Sequence, residues 1–265
     1  MAKLNGGRND FREWVDKEPA PDWPLMPLTH ITKSIVAADI SKSGYVDPTE
    51  CKVFNQPLAY FFYGRPAYRI SGDGAIKVEA ICPCCFIFDA NLIEQAEAIF
   101  AFDTGAFSKR LYKHILPDEM HVEDFSLGED ISRPNKLIKK SFGSRLDYFE
   151  GNIHAIPNPL SIAKAYEFHA RSYLQLLTSP GRNEPDDRIC SIEVIFKNAI
   201  PLSGNLRAIV APHTLWADEA PWLKDLEASG VIVQPYSFVP GRHPDYYQAQ
   251  IESMARDLLN SWRSI

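Results

Sequence analysis

The 265-residue chain lacks the sequence features that mark several large classes of protein. It contains no apolar run of about 20 residues, the length that a membrane-spanning helix needs. Its first residues lack the apolar core of a secretory signal peptide. Neither the Gly-x-Gly-x-x-Gly fingerprint nor the Gly-x-x-x-x-Gly-Lys-Ser/Thr motif occurs, which argues against the two commonest nucleotide-binding architectures. These absences predict a soluble, cytoplasmic protein without a membrane partner.

An excess of positive charge is also absent. The chain has 28 Lys and Arg residues against 34 Asp and Glu residues, for a formal net charge of −6, so no broadly basic surface is expected. Its hydrophobic content of 45% is enough to bury one large core. Residues 1–24 are polar and rich in proline, which predicts an N-terminal arm, and residues 25–265 are expected to form a single α+β domain.

Cysteines are few, and their number is odd. Three of the five are Cys82, Cys84 and Cys85. A secreted disulfide framework usually has an even number of dispersed cysteines, so this pattern indicates a reducing compartment. A structural zinc site needs a second pair of ligands, and no such pair is evident elsewhere in the chain. We therefore predict no metal site, and we expect the three thiols to be buried in a strand.

Apolar periodicity and turn residues predict mixed helices and strands without a regular βαβ repeat. Residues 109–158 show no sustained period and predict loops and short helices. The predicted strands cover 58–63, 75–81, 98–102, 189–196, 206–210 and 231–238, and the predicted helices cover 32–40 (capped by Thr32), 159–177, 216–229 and 245–262.

The residues with the clearest chemical significance are an early histidine and a later strand that is rich in Tyr, Phe and Arg. His30 lies in the sequence LTHIT at 28–32, and residues 59–69 read AYFFYGRPAYR. Two arginines and a Gly-Arg-Pro break are unfavourable within a packed strand unless they face a ligand. This segment therefore indicates a binding site as well as part of the core.

The order of these motifs, followed by Glu193 in a third strand, resembles the NAD-binding cleft of the ADP-ribosyltransferases. The His-Ile-Thr opening is most similar to the DarT-type bacterial toxins, which modify nucleic acid. The resemblance spans roughly residues 25–240 and is carried by short motifs. It implies a catalytic domain of split antiparallel β-sheets with flanking helices, with NAD as the co-substrate. It also implies a toxin or defence effector that modifies a nucleic acid, RNA or DNA, or another macromolecule, with an antitoxin or chaperone as a partner.

The resemblance also implies roles for individual residues. Glu193 would be the catalytic carboxylate, since cleavage of the nicotinamide–ribose bond builds positive charge on the ribose. His30 would bind the adenosine ribose through a neutral imidazole, with Thr32 beside it. The segment before Glu193 lacks the Gln or Glu two positions upstream that many arginine-modifying members carry. This difference favours an acceptor other than arginine.

The Tyr- and Arg-rich strand would supply the remaining contacts to NAD. Tyr63 or Tyr68 would stack on nicotinamide, and Arg65 or Arg69 would hold the pyrophosphate. Arg65 would also take part in catalysis. The sequence leaves open whether Tyr60, Tyr63 or Tyr68 lines the pocket.

Three other interpretations remain open. Asp103-Thr104-Gly105 is the kind of turn that positions the catalytic aspartates of aspartic proteases, but that family needs two such motifs and the chain has one. His114, His121 and Glu123 suggest a metal-dependent hydrolase or nuclease, although their spacing matches no standard ligand set. The third interpretation is a non-catalytic binding module of the same fold.

A local group of basic residues interrupts the irregular middle of the chain. Its members are Lys136, Lys139, Lys140 and Arg145. Such a group can contact phosphates, or it can be ordinary solvated surface.

Overall fold

The computed structural model describes residues 2–4, 6–67, 74–153, 156–178 and 191–265. Helices and strands are mixed along this part of the chain, as the sequence predicts. The strands are β1 (Leu28–Lys33), β2 (Tyr45–Val46), β3 (Thr49–Cys51), β4 (Gln56–Tyr63), β5 (Pro83–Phe88), β6 (Ala98–Phe100), β7 (Glu193–Phe196), β8 (Ile200–Pro201), β9 (Leu206–Pro212) and β10 (Ile232–Tyr236).

The α-helices flank these strands, and short 3₁₀ turns connect several of them. The helices are α1 (Asp10–Asp16), α2 (Ser34–Ser43), α3 (Thr104–Ser108), α4 (Arg133–Phe142), α5 (Arg145–Phe149), α6 (Phe168–Leu177), α7 (His213–Ala217), α8 (Pro221–Ala228) and α9 (Pro244–Ser261). The 3₁₀ turns are Glu79–Ile81, Ala90–Gln95, Val122–Phe125 and Pro159–Ile162.

Eight strands form the main sheet, in the order β10-β9-β5-β1-β4-β7-β6, with β3 beside β4. The β9–β10 pair is parallel, and the other neighbours are antiparallel. Strands β2 and β8 form a separate two-stranded sheet. Strands β5, β6 and β7 are buried at every residue, which requires that both faces of the sheet are covered at those strands.

The two halves of the main sheet are joined by a short pairing between β1 and β4. This pairing has two residue pairs, Leu28 with Tyr63 and Thr29 with Phe62. By contrast, β1 pairs with β5 along six residues and β4 pairs with β7 along four. The sheet therefore consists of a β10-β9-β5-β1 half and a half that contains β4, β7 and β6, which separate beyond Thr29.

The strand in this part of the chain lies at 83–88, and not at 75–81 where the sequence predicts it. Residues 75–81 alternate between apolar and polar, but they contain a 3₁₀ turn at Glu79–Ile81, and Ile76 forms only an isolated bridge with Arg242. The strand lies at 83–88 instead, where every residue is buried. A strand covered on both faces needs a continuous apolar run, so the prediction of a strand over 75–81 is wrong.

The cysteine cluster has the buried position that the sequence predicts. Cys82, Cys84 and Cys85 have no exposed area, and the last two lie in β5. Burial raises the pKa of the Cys82 thiol to about 11 and that of the Cys84 thiol to about 12. Burial also raises the pKa of Cys85.

These thiols make the stability of the protein sensitive to alkaline pH. The folded state keeps its thiol protons to a higher pH than the unfolded state does, so unfolding releases protons above about pH 9. We expect each such thiol to lower the free energy of unfolding by about 1.4 kcal/mol per pH unit there. Urea unfolding at pH 8 and pH 10 measures this loss. Cys84→Ala should lose less stability than the wild type over this interval, and equal losses would contradict the assignment.

The N-terminal segment contains a helix where the sequence predicts an arm. Phe11, Trp14 and Val15 of α1 are buried in the core. The Trp14 Nε1–H donates to the carbonyl of Ile162 at 3.2 Å. The polar and proline-rich composition of residues 1–24 conceals these apolar positions, whose spacing places them on one side of a short helix.

Two predicted helices have different boundaries in the structure. The helix predicted over 159–177 begins at Phe168, because Ala163 is extended and a 3₁₀ turn precedes it. The helix predicted over 216–229 is divided into α7 and α8. Glu219 has a φ of 56°, and Pro221 begins α8. The left-handed residue ends the first helix, and proline is suited to the first turn of the second.

Gly64 occupies a position that requires glycine. Its φ is +70°, and a Cβ there would lie 2.9 Å from Met26 Sδ and 3.2 Å from Met26 Cβ. Gly64 N–H also donates to the Pro27 carbonyl at 2.7 Å. We expect Gly64→Ala to lower the free energy of unfolding by about 1–3 kcal/mol, as measured by urea denaturation.

Gly44 provides a matched control for this substitution. It ends α2 with a φ of +78°, but no atom lies within 4 Å of the place that a Cβ would take. Gly44→Ala therefore reports the conformational strain without the steric clash. An equal loss of stability in both variants would show that the Met26 contact relaxes.

Candidate functional site

Glu193 is a buried carboxylate in the middle of one half of the main sheet. It begins β7, where it pairs with Phe62 of β4 and Phe100 of β6. Only 3% of the residue is exposed. An ionised carboxylate in such a place is unfavourable unless polar groups compensate for the loss of water.

Thr104 supplies two of these polar groups. Glu193 Oε2 accepts one hydrogen bond from the Thr104 backbone N–H at 3.1 Å and another from its hydroxyl at 2.6 Å. Thr104 has no exposed area. Sequence reasoning missed this contact, because the two residues lie 89 positions apart and neither position carries a signal for the other.

The Asp-Thr-Gly motif is therefore the beginning of a helix. The Asp103 carboxylate accepts a hydrogen bond from the Ala106 N–H at 2.6 Å and caps α3. Asp103 is itself 3% exposed. This arrangement explains the motif without a protease-like pair of aspartates.

Tyr60 stands beside Glu193 on the same face of the sheet. Tyr60 pairs with Ile195 and Phe62 pairs with Glu193, so alternation makes Tyr60 and Glu193 diagonal neighbours. The Tyr60 hydroxyl donates to Cys51 Sγ. Burial, this hydrogen bond, and the negative charges of Glu193 and Asp103 raise the pKa of Tyr60. The phenol consequently stays protonated next to the carboxylate.

His30 lies where the two halves of the sheet separate. Its Nδ1 is 2.8 Å from the backbone carbonyl oxygen of Tyr60. Because a carbonyl oxygen only accepts, Nδ1 carries a proton in this hydrogen bond. Burial lowers the pKa of His30 and outweighs the opposing effect of that bond. The imidazole is therefore neutral, and Nε2 is its acceptor nitrogen.

Tyr60 thus links two of the residues that the sequence proposes for the site. Its backbone carbonyl contacts His30, and its side chain lies beside Glu193.

Tyr63 has a different environment, with no exposed area. Its hydroxyl accepts from Met26 N–H and donates to Asn135 Oδ1, both at 3.0 Å. These two hydrogen bonds hold the Tyr63 hydroxyl within the core, so we leave Tyr63 out of the proposed site.

Arg65 lies in the turn directly after β4. Its carbonyl accepts a hydrogen bond from the Thr29 hydroxyl at 3.2 Å, and its guanidinium lies 3.7 Å from Glu252 Oε1. Gln248 donates from Nε2 to the Pro66 carbonyl at 3.0 Å and to Glu252 Oε1 at 2.8 Å. Helix α9 therefore holds the Gly-Arg-Pro turn. The Gln248–Pro66 contact joins residues 182 positions apart, and no sequence motif in α9 signals it.

Two other candidate residues, Tyr68 and Arg69, lie outside the described residues. Thr32 is partly buried and pairs with Cys84 in the β1–β5 ladder. It does not cap a helix, because α2 begins at Ser34 after an extended Lys33. Extension of β1 to Lys33 leaves Thr32 within a strand.

The interpretation as a metal-dependent hydrolase or nuclease has little support in the geometry of the described residues. No group of three or more His, Cys, Asp or Glu residues in the described segments could hold a metal ion. Glu123 Oε1 accepts a hydrogen bond from Lys3 N–H at 2.9 Å, and His121 N–H donates to Asp124 Oδ2 at 2.9 Å. The first contact ties the N-terminal segment to the 3₁₀ turn at 122–125, and the second lies within that turn.

The basic group in the middle of the chain is largely neutralised by the N-terminal segment. Lys136 lies 3.1 Å from Asp16, and Lys139 lies 3.2 Å from Glu18. Lys140 also faces Glu18, at 3.8 Å. Arg145, the fourth member, donates to the Pro24 carbonyl at 3.3 Å and lies over the Trp23 ring. These contacts favour ordinary surface over a phosphate site.

Two cavities, of about 260 and 450 Å³, meet near the end of α3. Phe107 and His121 line both of them. Lys52 lines the larger one and follows Cys51, which accepts the hydrogen bond from Tyr60.

Comparison of the chain with protein-family models, curated proteins and solved structures finds no match. In the described part of the chain, no helix has both the length and the apolar character needed to cross a membrane.

Proposed function

We propose that this protein is an NAD-dependent ADP-ribosyltransferase. The observation that carries the proposal is the buried Glu193 carboxylate, held by Thr104 and flanked by Tyr60, whose backbone in turn contacts His30. The histidine lies at the boundary between the two halves of the sheet, and the carboxylate lies in β7 on the far side of β4, so Tyr60 of β4 stands between them. This arrangement agrees with the motif order that resembles the family.

The proposed reaction requires a negative charge close to the ribose. The bond between nicotinamide nitrogen and ribose C1′ breaks, and nicotinamide leaves with the bonding electrons. Glu193 stabilises the positive charge that develops on the ribose. A nucleophilic atom of the acceptor then bonds to C1′ and gives up its proton. Neutral His30, through Nε2, is suited to accept a hydrogen bond from a ribose hydroxyl.

Arg65 is the described arginine assigned to the pyrophosphate. Its guanidinium is 17% exposed and lies 3.7 Å from Glu252. A guanidinium presents its N–H donors in a planar fork that matches the geometry of phosphate oxygens. Tyr60 replaces Tyr63 as the tyrosine of the proposed cleft. Tyr68 and Arg69 keep the roles proposed from the resemblance.

The proposed acceptor is a nucleic acid, RNA or DNA, and the proposed role is that of a toxin or defence effector. The resemblance to the DarT-type toxins supports both proposals, and an antitoxin or chaperone would be the corresponding protein partner.

The experiment that tests the function follows nicotinamide release from NAD by the purified protein. The reaction is run with NAD alone and with added RNA, DNA or protein. Release that one added fraction stimulates, together with transfer of labelled ADP-ribose to that fraction, supports a transferase and identifies the acceptor class. The absence of release in every mixture would favour a non-catalytic binding module.

A further inference from the structure

We infer that Thr104 is a positioning residue that orients the Glu193 carboxylate for catalysis. The inference rests on the proposed function, which assigns Glu193 to the ribose. It concerns Thr104, which lies between the Tyr- and Arg-rich strand and Glu193 in the chain and is not one of the motifs that carry the resemblance.

The geometry of the contact supports a positioning role. Both the backbone N–H and the hydroxyl of Thr104 donate to the same oxygen, Glu193 Oε2, at 3.1 and 2.6 Å. Two donors from one residue restrict the rotation of the carboxylate more than one donor can. Thr104 has no exposed area, so bulk water cannot easily replace its hydroxyl.

Thr104 is itself held in place by its neighbours. The Asp103 carboxylate accepts from Ala106 N–H at 2.6 Å and closes the first turn of α3. The Phe102 ring packs against Phe125 with centroids 4.9 Å apart. The donors that face Glu193 therefore belong to a segment with little freedom to move.

The backbone before Glu193 is fixed from the other side. The Tyr148 hydroxyl accepts from Ile192 N–H at 3.0 Å and donates to the Tyr63 carbonyl at 2.8 Å. Tyr148 has no exposed area. Tyr148 thus positions the strand that carries Glu193, while Thr104 orients its side chain.

Hydrogen bonds to a carboxylate favour its ionised form, which is the form that stabilises positive charge. Loss of the Thr104 hydroxyl should therefore reduce the rate of the chemical step more than the affinity for NAD. It should also move the acidic limb of the pH–rate profile to higher pH. A residue that only fills space would produce neither change.

Thr104→Val and Thr104→Ser separate the hydroxyl from the shape of the side chain. We expect Thr104→Val to lower kcat for nicotinamide release by about 10-fold to 100-fold, with KM for NAD changed by less than about 3-fold. Thr104→Ser keeps the hydroxyl and should stay within about 3-fold of the wild-type kcat. The pH–rate profile of Thr104→Val should have its acidic limb at higher pH, and that of Thr104→Ser should match the wild type.

Thr214→Val is the matched control. The Thr214 hydroxyl is buried and has no hydrogen-bond partner among the described residues. Its removal should change neither kcat nor the pH–rate profile. Equal kcat values and pH profiles for wild type and Thr104→Val would overturn the inference, as would equal losses in the valine and serine variants.

A double-mutant cycle separates this inference from the proposed function. The cycle measures the factor by which Thr104→Val raises the unfolding equilibrium constant in two backgrounds. We expect this factor to be at least about 5-fold larger with Glu193 present than in the Glu193→Ala background. Absence of this coupling would overturn the contact itself. Coupling in a wild-type protein that releases no nicotinamide would refute both the proposed function and the catalytic role of Thr104, while the contact would stand.

Discussion

Glutamine at position 193 should lower the rate of nicotinamide release from NAD by about 100-fold to 1,000-fold. Glutamine has nearly the same shape as glutamate, and its amide oxygen can still accept the hydrogen bonds that Thr104 donates to Glu193 Oε2. The variant should therefore fold, but it lacks the negative charge that stabilises the developing positive charge on the ribose. Initial rates at saturating NAD, together with the circular dichroism of both proteins, measure this effect.

Glu97→Gln is a suitable control for the same chemical change. Glu97 forms an ion pair with Lys197 on the surface and precedes β6, so it lies outside the proposed cleft. We expect this variant to release nicotinamide at the wild-type rate. A Glu193→Gln protein with wild-type activity would show that the buried carboxylate has a structural role and that another group supports catalysis.

Alanine at position 14 should lower the free energy of unfolding by about 3–5 kcal/mol. Trp14 is 1% exposed, and its ring packs 5.7 Å from that of Phe11. Its N–H donates to the Ile162 carbonyl, and Lys140 Nζ lies 5.0 Å from the ring centroid. The substitution leaves a large cavity and an unpaired carbonyl. Urea denaturation at neutral pH measures the loss.

Trp216 offers a tryptophan in the opposite environment. It is 48% exposed on α7, so Trp216→Ala should change the free energy of unfolding by no more than about 0.5 kcal/mol. Similar effects at both positions would contradict the burial of α1 in the core. A large effect at Trp14 alone would show that the N-terminal segment is an integral part of the folded unit.

The choice among the three tyrosines illustrates how far sequence patterns extend. Alternation along β4 correctly places Tyr60 and Phe62 on one face and Tyr63 on the other. It does not say which face is the core. That depends on tertiary contacts: α4 places Asn135 at the hydroxyl of Tyr63, and the pairing of β4 with β7 places Glu193 beside Tyr60.

The sequence by itself determined which apolar segments form several strands and helices, because local periodicity and turn residues act over a few positions. It also indicated the buried cysteines and the motif order from His30 to Glu193. Only the tertiary structure decided that α1 belongs to the core, that Lys136 and Lys139 are neutralised, and that Thr104 holds Glu193. Each of these contacts joins residues that are distant in the chain. They therefore depend on strand pairing and helix packing, which no local pattern specifies.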